Sequence, residues 1–155
     1  MTEKKDISRA AAVTGHRKLD GGLDENRLKN TLEELIKKGI NTFYLGLATG
    51  FDTVCFQTLY RLKTQYEIKL IGCAPYRGQS ERWGEEDRKT YRKMCGNLDE
   101  LKILNEHYTP YCMHERNRYM VDRAGTVVAF LKRRSGGTYY TVQYARQKER
   151  NIVYV

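Results

Sequence analysis

The sequence predicts an α/β fold, a three-layer sandwich whose sheet is mostly parallel and has about six strands. Short apolar runs alternate with amphipathic runs from end to end, which is the pattern of βα units on a parallel sheet. Glycines and polar residues follow the apolar runs, where the loops at the C-terminal strand ends would lie. The 155 residues are one domain's worth, enough to bury a continuous core without disulfides or a structural metal. A single domain over residues 1–155 is therefore expected, with residues 1–8 as a loose lead-in.

The first strand is Ala10-Ala11-Ala12-Val13-Thr14, which ends at Gly15. Beyond Asp24, Leu28, Leu32, Leu35 and Ile36 recur at helical spacing and form one apolar stripe on a helix that stops at Gly39. Thr42 to Leu47 reads as a buried strand, and Thr49-Gly50-Phe51-Asp52-Thr53 opens a helix carrying Val54, Cys55, Leu59 and Leu62. A third strand, Ile68 to Cys73, breaks into Ala74-Pro75-Tyr76-Arg77-Gly78, because proline continues neither element. Trp83 to Met94 is expected to be helical, Leu101 to Leu104 a short strand and Tyr108-Thr109-Pro110 a turn. His114 to Arg123 follows as a helix, with Tyr119, Met120 and Ala124 toward the core. Thr126 to Leu131 is the strongest strand signal; a last helix, Thr138 to Lys148, leads into the closing strand Ile152 to Val155.

Composition narrows the class of partner. Lysine and arginine number 28 against 19 acidic residues, a formal net charge of +9, which suits a nucleotide, a nucleic acid or a phosphorylated metabolite. The best apolar run, Val127 to Leu131, is strand-sized, well short of the ~20 residues of a membrane span, so no membrane partner is expected. Met1 to Asp6 is charged and lacks the apolar core of a signal peptide, and a cytoplasmic protein is expected. Cys55, Cys73, Cys95 and Cys112 contain no CxxC pair and suit free thiols in a reducing compartment. Cys112 and His114 are only half a metal site, so neither a metal nor another cofactor is expected.

In a parallel sheet, ligands bind in the crevice outside the C-terminal strand ends. Three loops supply suitable residues there: Thr14-Gly15-His16-Arg17, Thr49-Gly50-Phe51-Asp52 and Ser135-Gly136-Gly137-Thr138. Glycine permits close backbone approach, and amides at a helix N-terminus attract anions. Each loop has an ordinary alternative as a tight turn, with Asp52 and Thr138 capping their own helices. Together the three favour a phosphate-bearing ligand. Neither GxGxxG nor GxxxxGK[ST] occurs, which argues against a standard dinucleotide or triphosphate enzyme, and no GxSxG elbow marks a serine hydrolase.

Val13-Thr14-Gly15-His16-Arg17, Gly50-Phe51-Asp52-Thr53, Ala74-Pro75-Tyr76 with Trp83, Arg116-Asn117-Arg118 and Ser135-Gly136-Gly137-Thr138 with Tyr144-Ala145 occur in this order over most of the chain. In this combination the sequence resembles the YpsA-like branch of the SLOG superfamily, which joins the Smf/DprA single-strand DNA-binding proteins to the LOG phosphoribohydrolases. The resemblance implies a Rossmann-like domain that binds a nucleotide or nucleotide-derived ligand. It would put Thr14, Gly15 and Arg17 on one side of the ligand and Gly50 with Asp52 beneath it, and would give phosphate to Ser135, Gly136, Gly137 and Thr138. Arg116 and Arg118 match the arginines of the RNR motif of the DprA branch; they could equally form a solvated helix face with Glu115 and Asp122. Homodimers are common in the superfamily, and a homodimer is expected from it.

Two departures from the family pattern bear on chemistry. The second loop continues into Cys55-Phe56-Gln57, with an amide where the family has a carboxylate. The glutamate that LOG enzymes carry after their glycine loop falls near Gln143 or Tyr144. An amide can neither act as general base nor stabilise an oxocarbenium-like charge, so sensing or sequestration is favoured over catalysis. Hydrolysis of a nucleotide N-glycosidic bond would require Asp52 to replace the missing glutamate, with His16 as a further acid/base candidate. Binding of single-stranded nucleic acid is the other alternative, supported by Lys132-Arg133-Arg134 beside the last glycine loop. Thr53 belongs to the second binding loop, and Tyr76, Trp83, Tyr139 and Tyr140 are candidates to stack on a base.

Overall fold

The computed structural model describes residues 6–155, so the first five residues of the expected lead-in lie outside the described residues. Strands and helices alternate strictly: β1 (Ala10–Gly15), α1 (Glu25–Lys37), β2 (Thr42–Leu45), α2 (Phe51–Leu62), β3 (Lys69–Ala74), α3 (Glu85–Gly96), β4 (Glu100–Ile103), α4 (Cys112–Asp122), β5 (Thr126–Phe130), α5 (Gly137–Gln147) and β6 (Asn151–Tyr154). The strands form one sheet in the order β4-β3-β2-β1-β5-β6, and every pairing is parallel. The fold is the expected α/β Rossmann-like sandwich. Among the described residues, no helix is long and apolar enough to cross a membrane.

Successive side chains of a strand point to opposite faces, and this sorts the apolar residues into two layers. Ala11 and Val13 of β1, Phe43 and Leu45 of β2, Leu70 of β3 and Phe130 of β5 pack against α1 and α2, with Met94 of α3 in the same cluster. Their neighbours Ala10, Ala12, Ile71 and Cys73 face the other way, against Met120 of α4 and Ala124. Val127 meets Val121 of α4 and Ala145 of α5. The chain steps outward from β1 to β4 and then crosses back to place β5 and β6 on the far side of β1. With crossovers of one hand, that reversal of direction demands a change of face, which is why α4 and α5 lie opposite α1, α2 and α3. The order reverses between β1 and β5, and ligands of such sheets bind at that point.

Most boundaries fall within one or two residues of expectation, and the differences have local causes. The second strand stops at Leu45 rather than Leu47. Leu47 is fully buried at φ +62, a left-handed conformation rare for a branched residue, and it turns the chain out of the sheet. Helix α3 starts at Glu85 rather than Trp83, because Gly84 caps it and Glu85, Glu86 and Asp87 occupy its first turn, where the helix dipole favours acids. The Trp83 ring instead stands edge-on to Tyr91, 5.5 Å between centroids.

Helix α2 starts hard against the loop after β1. The amide of Phe51 donates to the carbonyl oxygen of His16 at 3.1 Å. Gly50, at φ +78, permits this approach, since a Cβ there would lie 2.2 Å from the Arg17 carbonyl oxygen. Gly50→Ala is expected to lower stability by about 2 kcal/mol or more. Gly96→Ala, at the end of α3 with open space around it, should be neutral or stabilising by up to ~1 kcal/mol. Urea unfolding of both variants checks the contrast, and a Gly50→Ala protein as stable as the parent would refute the close-approach role.

Candidate functional site

A cavity of about 630 Å³ opens at the C-terminal edge of the sheet between β1 and β5. Thr14, Gly15, His16, Arg17 and Lys18 line it from the end of β1, and Gly46 and Ala48 from the turn after β2. Asp52 comes from the first turn of α2, and Met113, His114, Arg116 and Asn117 come from α4. Arg133, Gly136, Gly137, Thr138 and Tyr140 close the side next to β5. The cavity thus gathers residues from both helical layers.

Arg116 and Asp52 converge beneath it. Arg116 is 5% exposed, and its Nη1 donates to the carbonyl oxygens of Gly46 at 2.6 Å and Cys73 at 3.3 Å, while Nε donates to Asn117 Oδ1 at 2.8 Å. Asp52 is 7% exposed, and its Oδ2 accepts the Ala48 N–H at 3.1 Å. Gly46 makes room for both: a Cβ there would lie 2.8 Å from Arg116 Nη1 and 2.9 Å from Asp52 Oδ2. Burial pushes the Asp52 carboxyl up to about 6, against the opposing pull of Arg116, the Ala48 amide and Arg17. Burial likewise lowers the pKa of Arg116, and the Asp52 carboxylate opposes that shift.

His16 ties the two central strands together at their ends. Its Nε2 accepts the Lys132 N–H at 2.9 Å, which leaves the proton of the neutral ring on Nδ1. The ring stands edge-on to Phe130, 5.8 Å between centroids. Burial and the charge of Arg133 hold its pKa below the usual histidine value, and Asp20 partly offsets them. Gly15 lies beside it, and a Cβ there would meet the Phe51 side chain at 2.3 Å. Helix α5 starts at the rim with Gly136 as its N-cap at φ +89, and no side chain caps its first-turn amides.

Of the residues expected at the ligand, Thr14, Gly15, His16, Arg17, Asp52, Arg116, Gly136, Gly137 and Thr138 line this cavity. Five others lie elsewhere. Gly50 packs against the Arg17 backbone, and Thr53 Oγ1 donates to the Ala48 carbonyl oxygen at 2.9 Å, closing the turn into α2. Tyr76 stands against Tyr108 in a separate cavity of about 520 Å³ with Arg77 and Glu106. Arg118 faces away from the cavity into a groove between α4 and α5, its guanidinium 5.3 Å from the Tyr144 ring centre. Ser135 is exposed.

Neither Asp52 nor Thr138 caps its own helix, since Gly50 and Gly136 hold those positions. Gln57 is exposed on α2, so the amide that replaces the family's carboxylate lies outside the cavity. Sequence reasoning missed Gly46, Ala48 and Gln79. The last is 2% exposed on the loop after β3, and its Nε2 donates to the Gly46 carbonyl oxygen at 3.2 Å, so that oxygen serves both Gln79 and Arg116. No residue type or spacing announced these backbone contacts; only the apolar-to-glycine change at Leu45-Gly46 hinted that the strand ends there.

Comparison with known proteins places this architecture. The model of the YspA SLOG family matches residues 23–155. The chain belongs to that family. The YspA SLOG chain is similar to the SPbeta prophage-derived protein YoqJ of Bacillus subtilis, 28% identical over 79% of this chain and 80% of YoqJ. A UPF0398 protein of Bacillus velezensis is 22% identical over 88% of this chain and 83% of its own. Among solved structures, DNA processing protein A (DprA) of Streptococcus pneumoniae superposes with a TM-score of 0.67 at 17% identity, covering 95% of this chain and 50% of that one. DprA of Helicobacter pylori, a structure concerned with its mode of single-stranded DNA binding, gives 0.65 at 15% identity and covers 96% and 66%. The YspA SLOG chain thus shares its fold with DprA and spans about half to two thirds of those proteins' length.

The buried carboxyl makes stability depend on pH in a direction opposite to most acids. The native state holds the Asp52 proton more tightly than the unfolded chain, where an aspartate titrates near 3.9, so this group adds stability as pH falls from about 6 toward 4. His16 acts in the other sense, its contribution being lost as pH falls below about 6.5. Subtracting the Asp52→Asn variant isolates the first effect. The unfolding free energy of the parent minus that of the variant should grow by about 2 kcal/mol between about pH 7 and pH 4. A difference independent of pH in urea titrations would rule out the raised carboxyl.

Proposed function

We propose that this domain binds a nucleotide or nucleotide-derived ligand in the cavity between β1 and β5, with a phosphate toward the start of α5. The observation that carries the reading is electrostatic: the uncapped first turn of α5 shares the cavity with Arg17, Lys18, Arg116 and Arg133. Asp52 is the only carboxylate lining it among the described residues. Helix N-terminal amides and the helix dipole favour anions, and guanidinium groups meet phosphate oxygens in pairs. A volume of about 630 Å³ lies within the ~300–1,000 Å³ of small-molecule sites.

In this proposal Thr14, Gly15, His16, Arg17, Asp52, Arg116, Gly136, Gly137 and Thr138 contact the ligand, while Gly50 and Thr53 shape the turn that presents Asp52. Ser135, Arg118 and Tyr76 would meet only parts of a ligand that extend beyond the cavity. We take the setting to be cytoplasmic, to which the four free cysteines are suited. A second reading, binding of single-stranded nucleic acid, draws support from the DprA fold and from Lys132 and Arg134 flanking Arg133 at the rim. Hydrolysis of an N-glycosidic bond would have to rest on Asp52 alone, whereas such reactions ordinarily use two carboxylates.

Thermal unfolding with AMP, ADP-ribose, NAD and cyclic nucleotides tests the proposal. A ligand at about 100 times its Kd adds ~2.7 kcal/mol, a rise of roughly 5–10 °C for a domain of this size. The shift should be lost in Arg17→Ala and weakened in Gly136→Ala. Absence of any shift, with oligonucleotide binding that collapses on adding salt, would transfer the protein to the nucleic-acid reading. Release of free base from a nucleotide, abolished in Asp52→Asn, would establish a hydrolase.

A further inference from the structure

Beside the cavity lies a second depression that the proposed function leaves unused. A groove of about 380 Å³ runs between α4 and α5, and it shares His114, Asn117 and Tyr140 with the cavity. The two spaces are therefore adjacent, with these three residues along their common border. Two aromatic rings stand exposed along this path: Tyr111 is 76% and Tyr140 58% accessible. Tyr140 lies one turn beyond Gly136, to whose carbonyl oxygen its amide donates at 3.1 Å, so its backbone is one helical pitch of ~5.4 Å from the uncapped start of α5.

The remaining groove residues have a consistent chemistry. Gln143 and Gln147 supply carboxamides, each offering a donor and an acceptor to the edge of a heterocycle, and Asn117, whose Oδ1 accepts from Arg116, adds the donors of its amide nitrogen. Arg118 supplies a cation beside the Tyr144 ring, and no carboxylate lines the groove among the described residues. A lipid chain would make no use of these amides and the guanidinium, and an acidic side chain would make no use of the exposed Tyr111 ring. A flat, polar-edged ring joined to an anionic linker satisfies all of them.

We infer that the α4–α5 groove is a subsite for a second nucleotide unit, whose base stacks on Tyr111, outside the main cavity, while Arg118 meets the connecting phosphate. The inference rests on the proposed occupation of the main cavity by a first nucleotide and specifies the ligand further: it carries two bases. The second unit is supplied either by a free dinucleotide or by the next residue of a single strand, which present the same chemistry to the groove.

Calorimetric titration with AMP, 5′-phosphorylated diadenylate and a short 5′-phosphorylated oligodeoxyadenylate tests this. The parent protein should bind the diadenylate about tenfold more tightly than AMP, the gain expected of one additional base stack. Tyr111→Ala should leave AMP affinity within about twofold of the parent and abolish the gain, and Tyr111→Phe should retain it. Tyr111 is exposed and its side chain makes no capping hydrogen bond, so these variants are expected to fold. A further rise from diadenylate to the oligonucleotide identifies a strand as the source; equal affinities identify a free dinucleotide. Diadenylate binding no better than AMP, or a gain that survives both Tyr111→Ala and Arg118→Ala, overturns the inference while leaving the main site intact. Failure of all three probes to bind overturns the proposed function and the inference with it.

Discussion

The burial of the Arg116 guanidinium is the constraint around which the edge of the sheet is arranged. An ionised group removed from water costs several kcal/mol unless its protons and its charge are both answered. Four donated hydrogen bonds, to the carbonyl oxygens of Gly46 and Cys73, to Asn117 Oδ1 and to the Met113 sulfur, answer most of the protons, and Asp52 answers the charge from the opposite helical layer. The arginine of α4 is thereby tied to the exits of β2 and β3, and to α2 through the field of a carboxylate. This explains the backbone around it. Gly46 must lack a side chain, Leu47 must turn left-handed, and Ala48 must aim its amide at Asp52. The energetic penalty of Leu47, of order 1 kcal/mol or more, is offset by its complete burial and by the bonds its turn makes possible.

The neutral imidazole of His16 does for the β1/β5 edge what Arg116 does for β2 and β3. By accepting the Lys132 amide it fixes the chain as it leaves β5, and its own carbonyl oxygen fixes the start of α2. The walls of the cavity are held by polar contacts among loops, while the stacked rings of Phe51 and Phe130 and the fully buried leucines beneath supply the apolar base. A rigid base with polar-braced loops is the arrangement in which a binding site can be held open before its ligand arrives.

The order and type of every element could be read from the sequence: the central strands, buried on both sides, leave short apolar runs bounded by glycine and polar residues, while the exposed edge strands β4 and β6 were marked by their place between helical runs. Thr126 to Phe130, all buried, is the clearest case. Which polar residues converge was legible only in part. Arg116 and Arg118 are equivalent as a motif, yet on a helix residues two apart lie on different faces. One consequently points under the sheet edge and the other into the α4–α5 groove. Asp52 was visible as a first-turn acid, but its partner, the amide of Ala48, depends on the φ of Leu47, and no side-chain pattern encodes that. Gln79 was invisible for the same reason: its contact is a backbone oxygen of a distant loop.

The shared carboxylate also bears on what the cavity can bind. With Asp52 ionised, it offsets part of the positive charge of Arg17, Lys18, Arg116 and Arg133; with Asp52 protonated, that charge is unopposed. An anionic ligand lodged nearby disfavours the ionised form further, since like charges in one site raise a carboxyl's pKa. In the proposed complex, occupation by phosphate and protonation of Asp52 reinforce each other, each favouring the other by the same free energy. A carboxyl that neutralises when the anion arrives is suited to admitting charge into a buried site. It is poorly suited to stabilising a developing cation on a sugar, which requires that the carboxylate stay ionised while the phosphate is bound. Under the proposed function, the burial that raises Asp52 suits retention of the ligand better than its cleavage.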